Sequence, residues 1–302
     1  MVLNMFFFDT AIILWLQQLP YWVWELLNLL GDDIIYVALL GIAYWCISKK
    51  QGTIAVNLLM FSSFFNVLLK YAFHMERPPA GLRQNPEYAA DMSYGFPSGA
   101  AQSSATFWGW ASVKLRRWYV WIVGTVFIII TALARMGLGL HWLGDVLGGI
   151  VIGIVIVAMA YFLVPYFDKR WERMPRALQD WLLPIMALVF FGIYYVAYYV
   201  IPVIPYFPTE NIGVSMGVVF GFGTGVALET HYVNLKMDVP RNTKILRAVL
   251  GLIIALVLYF AFTVIFGLIG IAELFAARFV KYALVGFFGA FVIPALFKVI
   301  HR

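Results

Sequence analysis

Charge is what this chain has least of. Only 12% of its 302 residues are Asp, Glu, Lys or Arg, about half the share of an ordinary soluble domain. Meanwhile 63% are hydrophobic and the mean hydropathy is +0.88. A soluble protein this apolar could not cover its own surface, so soluble and disordered chains are both excluded. Cysteine is nearly absent as well: Cys46 stands alone, which forbids an internal disulfide and says nothing further about redox compartment. No Asn-x-Ser/Thr sequon occurs, which favours a prokaryotic source. Residues 1–30 lack the basic stretch and small-residue cleavage pattern of a signal peptide. With Asp9, Gln17, Gln18, Pro20 and Glu25 among their aromatics and leucines, they read as a helix lying in the membrane interface.

What the chain has instead is long apolar runs separated by short loops. These predict an all-α, polytopic transmembrane helical bundle, because a barrel strand would alternate in polarity over about ten residues. Windows of about 19 residues place nine spans near 34–48, 51–73, 97–115, 118–135, 141–166, 180–203, 211–233, 245–270 and 279–299. The basic residues orient them. Lys49, Lys50, Lys114 to Arg117, Lys169 to Arg176, Lys236 to Arg247, Lys298 and Arg302 fall on one side, fifteen of the 21 Lys and Arg. That bias makes this side and the C-terminus cytoplasmic and turns the loops 74–96 and 136–140 outward. Lys70, Arg77 and Arg135, on the sparse side, then need another reason to be there.

A charged stretch at 167–180 divides the chain into an N-terminal segment (1–33), a core (34–166) and C-terminal helices (167–302). The core carries nearly all the intramembrane polar residues; the last four spans carry almost none beyond Glu229 and His231. Gly213, Gly217, Gly221 and Gly225 recur every fourth residue and predict close helix packing, within the bundle or in a homo-oligomer.

Three outward-facing segments carry chemistry. In Lys70-Tyr-Ala-Phe-His-Met-Glu-Arg77-Pro78 the two cations stand two helical turns apart, and Pro78 ends the helix at Arg77. Such a pair suits a phosphate, although snorkelling to the interface explains it better when it is taken alone. Phe96-Pro97-Ser98-Gly99-Ala100 opens the third span with unpaired backbone N–H groups beside a hydroxyl. That is an anion cradle or an ordinary capped helix start. In Arg135-Met-Gly-Leu-Gly-Leu-His141-Trp-Leu-Gly-Asp145, the His and Asp lie at i and i+4. The carboxylate can fix the imidazole tautomer and leave the other ring nitrogen as a nucleophile or base. Asp145 is costly inside an apolar run and so marks a functional site. Gly137 and Gly139 allow the turn between Arg135 and His141.

Together the segments read K-x6-RP, PSG and R-x5-H-x3-D, and at this point the chain resembles the PAP2 superfamily of lipid phosphate phosphatases. The resemblance covers roughly 34–166, and the added spans make the chain similar to the sphingosine-1-phosphate phosphatase branch. It implies that His141 attacks phosphorus and becomes a phosphohistidine, with Asp145 orienting it. Lys70, Arg77, Ser98, the Gly99 backbone and Arg135 hold the phosphate oxygens. It implies no cofactor and no metal. The implied partner is a lipid phosphate: isoprenyl diphosphate, phosphatidate, phosphatidylglycerol phosphate or sphingoid-base phosphate, met at the extracytoplasmic face of a plasma membrane. Membrane lipids are the other partners, and no nucleic acid is expected.

Two departures stand out. Ala134 replaces the family's Ser. Ala100 replaces the histidine of PSGH, which in the family protonates the leaving alkoxide and later activates water, help worth about 10²–10⁴-fold. The chain as written is therefore expected to be a poor or dead catalyst, through an introduced inactivating change or as a natural degenerate member. A lipid-phosphate binder or transporter is the alternative function. The vanadate-dependent haloperoxidases share the constellation but are soluble, and a channel would need polar residues that the last four spans lack.

Overall fold

The computed structural model describes residues 7–85, 88, 93–200, 209–272 and 274–300. Among them, the regular structure is helical throughout. Two short helices, α1 (Thr10–Leu16) and α2 (Tyr21–Asn28), precede α3 (Asp33–Ile42), which runs into a π-helical turn at Ala43–Ile47. Then come α4 (Lys49–Phe73), α5 (Gly99–Leu115), α6 (Trp118–Gly137), α7 (Leu143–Trp171) and α8 (Arg176–Val200). The last four are α9 (Thr209–Leu228), α10 (Arg241–Leu268), α11 (Phe275–Phe287) and α12 (Ile293–Ile300). A second π turn, Glu229–Val233, extends α9, and a third, Phe288–Val292, joins α11 to α12.

Among the described residues, eight helical stretches are long and apolar enough to cross a membrane, and each overlaps one of the expected spans. The span expected at 97–115 is α5, whose 17 residues fall just short of the roughly 20 that a bilayer core requires. The first expected span is the second half of a longer stretch, Tyr21–Ile47, broken where Asp32 takes an extended backbone. Residues 1–6 of the expected interfacial segment, 201–203 of the sixth span and Arg302 lie outside the described residues. Side chains such as Trp118, Phe162 and Leu268 are 75, 73 and 82% exposed, a pattern suited to lipid rather than water.

By proximity the chain divides into two units: Met1–Val37 with Ser62–Pro165, and Ala38–Phe61 with Tyr166–Arg302. The division does not follow chain order, because residues 38–61 group with the C-terminal helices. Hydrogen bonds give the reason. Trp45 Nε1 donates to Gly289 O at 2.8 Å, Tyr44 OH to Ala290 O at 3.3 Å, and Lys49 Nζ to the buried Glu229 carboxylate at 3.1 and 3.2 Å.

In the first unit α7 crosses α5 with backbones nearly touching. A Cβ added at Gly149 would lie 2.5 Å from Ser98 O, and one at Gly153 would lie 2.7 Å from Gln102 O. In the second unit the glycine stripe of α9 faces α11: a Cβ at Gly217 would sit 2.4 Å from Phe279 O, and one at Gly221 only 1.8 Å from Ala283 O. Relief there requires separating two backbones. Gly221→Leu is therefore expected to destabilise the fold by about 3 kcal/mol or more. Gly192→Leu, with no atom within 4 Å of the added Cβ, serves as the neutral comparison. Equal melting temperatures in detergent for these two variants would contradict the packing described.

Candidate active site

α4 ends at Phe73, four residues before the expected stop at Arg77. His74 takes a left-handed φ of 51°, so Arg77 lies in the following loop and does not share a helix face with Lys70. The two cations instead converge on one strip of chain. Lys70, only 8% exposed, donates through Nζ to Tyr94 O and, at 3.3 Å, to Gly95 O. Arg77 donates from Nε to Ser93 O at 2.9 Å and from Nη2 to Ser93 Oγ at 2.8 Å. Its Nη1 donates to Leu140 O at 3.1 Å and stands 3.3 Å from His141 Nε2. Gly95 is required where the strip meets the acid: a Cβ there would lie 2.8 Å from Asp145 Oδ2.

His141 occupies the link between α6 and α7, two residues ahead of the span. The turn depends on Gly139 alone, with φ of 73° and its would-be Cβ 2.1 Å from Leu82 O. Gly137, expected to share that task, is the last residue of α6 and lies beneath the Trp24 indole. The imidazole is 1% exposed and its Nδ1 lies 3.3 Å from Asp145 Oδ2, an oxygen that also accepts the Trp142 N–H at 3.0 Å. With a carboxylate opposite Nδ1, that nitrogen carries the proton and Nε2 keeps its lone pair. Burial first, then the charges of Arg77, Lys70 and Arg135, hold the imidazole pKa well below the usual 6.5. An imidazole held neutral in this way can serve as a nucleophile.

Ser98 caps α5, and its N–H donates to Asp145 O at 3.0 Å, tying the helix start to the acid. Its hydroxyl is buried, makes no capping bond and has no partner among the described residues. Gly99 and Ala100 form the first turn of α5, and a Cβ on Gly99 would lie 3.3 Å from Asn66 Oδ1. The arrangement thus places a neutral imidazole, two guanidinium or ammonium groups and a buried hydroxyl around the meeting point of α5, α7 and the 93–95 strip. Such a set can bind an oxyanion and attack it.

Residues 51–169 match the PAP2 superfamily, and residues 214–301 match the transmembrane extension of PAP2 superfamily phosphatases. The chain carries a PAP2 superfamily domain and its transmembrane extension. It is 24% identical over 216 residues to sphingosine-1-phosphate phosphatase 2 of Mus musculus, covering 67% of this chain and 58% of that protein. Over 103 residues it is 28% identical to phosphatidylglycerophosphatase B of Bacillus subtilis, 30% of this chain and 49% of the relative. The chain thus spans about half the length of the curated relatives it matches. The crystal structure of a transmembrane PAP2 type phosphatidylglycerolphosphate phosphatase from Bacillus subtilis is similar at a TM-score of 0.42 and 22% identity. The match covers 54% of this chain and 85% of that one.

The PAP2 match contains all eight candidate site residues, Ala100 included, and the geometry gathers Lys70, Arg77, Ser98, His141 and Asp145 directly. Arg135 joins them electrostatically, but its Nη1 donates to Asn28 Oδ1 at 3.1 Å. That partner lies on α2, outside the PAP2 match. The same N-terminal segment holds the turn ahead of His141, with Gln17 Nε2 donating to Leu82 O at 2.7 Å and to Gly137 O at 3.2 Å. A second set that sequence reasoning missed runs behind the PSG turn. Asn66 donates to Pro97 O at 3.1 Å and to Gln102 Oε1 at 2.8 Å, and Gln102 donates to Ser62 O at 2.8 Å. Amides within apolar runs were the signal that could have found them.

Proposed function

We propose that this protein is a lipid phosphate or diphosphate phosphatase, acting at the extracytoplasmic face of a plasma membrane through a phosphohistidine on His141, and disabled by Ala100. One observation carries the reading: a buried, neutral His141 stands between Asp145 at Nδ1 and Arg77 at Nε2. His141 Nε2 attacks phosphorus, forming the N–P bond as the P–O bond to the leaving group breaks. Arg77, Lys70 and Arg135, with the Ser98 hydroxyl, offset the charge that gathers on the phosphoryl oxygens. Asp145 stabilises the imidazolium. An alkoxide leaving group then needs a proton, and the later hydrolysis needs a base. Ala100, in the first turn of α5, supplies neither.

The relatives' names point to sphingosine-1-phosphate and phosphatidylglycerophosphate as the first substrates to try; phosphatidate and isoprenyl diphosphates complete the panel. The test compares the chain with its Ala100→His variant on that panel in detergent. Phosphate release gained by the variant and lost on adding His141→Ala supports the reading. Release unaffected by His141→Ala sinks it. The alternative is a lipid-phosphate binder or transporter, favoured by Ala100 together with the helices of the extension. It takes precedence if histidine restores nothing while the unaltered chain moves lipid between leaflets of vesicles.

A further inference from the structure

The second unit contains a buried cation that the phosphatase chemistry does not use. Arg247, in the second turn of α10, is 3% exposed. Its Nη1 donates to Lys236 O at 2.7 Å, and its Nε is buried without an acceptor among the described residues. No described carboxylate pairs with it. The buried acid of this unit, Glu229, is already engaged: it accepts from Lys49 Nζ on both oxygens and from the Leu235 N–H at 2.6 Å. A guanidinium this deep in a membrane protein is costly unless something anionic faces it.

We propose that Arg247 is the centre of a second anion site, which takes the phosphate of an anionic phospholipid headgroup. The guanidinium fork matches a phosphate in geometry as well as charge. Lys244, one turn back on the same helix, and Lys236, which Arg247 holds by its carbonyl, add positive charge at this end of the unit. The Phe297 ring lies 5.9 Å from the Arg247 guanidinium carbon and edge-on to Trp45, an apolar floor under the cation. On the neighbouring positions of α10, Ile245, Leu246 and Val249 are 52, 42 and 49% exposed. A headgroup bound here would have its chains beside lipid-facing side chains, which favours a lipid over a soluble anion. Basic pockets between helices near a membrane boundary take anionic headgroups in this way.

The test uses the whole chain in neutral detergent, with phosphatidylglycerol, phosphatidylcholine or inorganic phosphate added. Lipid retained in native mass spectrometry and the thermal unfolding midpoint are the readouts. Phosphatidylglycerol is expected to be retained and to raise the midpoint where phosphatidylcholine does not. Arg247→Gln should weaken that retention by about tenfold or more, Arg247→Lys should recover part of it, and Lys169→Gln, at an exposed position outside both sites, should leave it in place. No preference for phosphatidylglycerol in the unaltered chain overturns the proposal, whatever the variants do. Retention unchanged in Arg247→Gln overturns it too. Inorganic phosphate acting as strongly as the lipid, through Arg247, would assign the site to a free anion and overturn the lipid reading.

Discussion

Ala100→His is expected to raise phosphate release from the preferred lipid phosphate by about 10²–10⁴-fold, the usual value of positioned acid–base help. The gain depends on where the new imidazole starts. Position 100 is in the first turn of α5, two residues after Ser98, whose N–H is bonded to Asp145 O at 3.0 Å. The helix start is therefore registered against the same residue that orients His141. The Asn66–Gln102 hydrogen bonds fix that turn from behind. A histidine grafted there enters a helix turn whose register against Asp145 these bonds already set. Release that stays at the level of the unaltered chain on every lipid of the panel would remove catalysis from the account.

Asp145→Asn, made in the Ala100→His background, is expected to lower kcat by about 10²–10³-fold, as for the loss of one preorganised electrostatic partner. The Trp142 N–H donates to Asp145 Oδ2, and it would hold the amide oxygen in the same place. His141 Nδ1 keeps its acceptor and its tautomer, so the loss isolates the charge that stabilises the imidazolium. The other carboxylate oxygen is buried with no partner among the described residues. An amide NH2 put there has nothing to donate to and should cost about 1–3 kcal/mol of stability. A kcat within about threefold of the parent would show that the negative charge of Asp145 does not assist the reaction.

The PAP2 motif pattern was legible because its three parts need particular residue types at fixed local spacings: a cation pair, a Ser-Gly helix start, and His and Asp one turn apart. The helices were legible because lipid demands long apolar runs. What escaped was set by distance or by local backbone. Asn28 and Arg135 are 107 positions apart, and no local pattern joins them. Trp45 reaches Gly289 across 244 positions, which draws 38–61 away from the core to which its sequence position assigned it. The early end of α4 turns on a left-handed His74, a conformation that a glycine would have signalled and a histidine does not. Gly149 and Gly153 read as members of an apolar run, whereas their work is to let α7 touch α5. The four-residue glycine stripe of α9 did announce its packing, because a repeat at that spacing keeps one helix face bare of side chains.

A phosphohistidine on His141 can be trapped in the unaltered chain. A nitrophenyl phosphate needs no acid, since nitrophenolate departs without a proton, but hydrolysis of the phosphoenzyme still needs the base that Ala100 lacks. The expected result is a burst of about one nitrophenolate per chain, followed by a stall with the phosphoryl group on His141. Because the imidazole pKa is held well below 6.5, Nε2 stays unprotonated as the medium is acidified, and the burst should persist through that pH and fail only lower. The His141→Ala variant should show no burst. No burst from the unaltered chain, or an equal burst from His141→Ala, would rule out a phosphohistidine at His141.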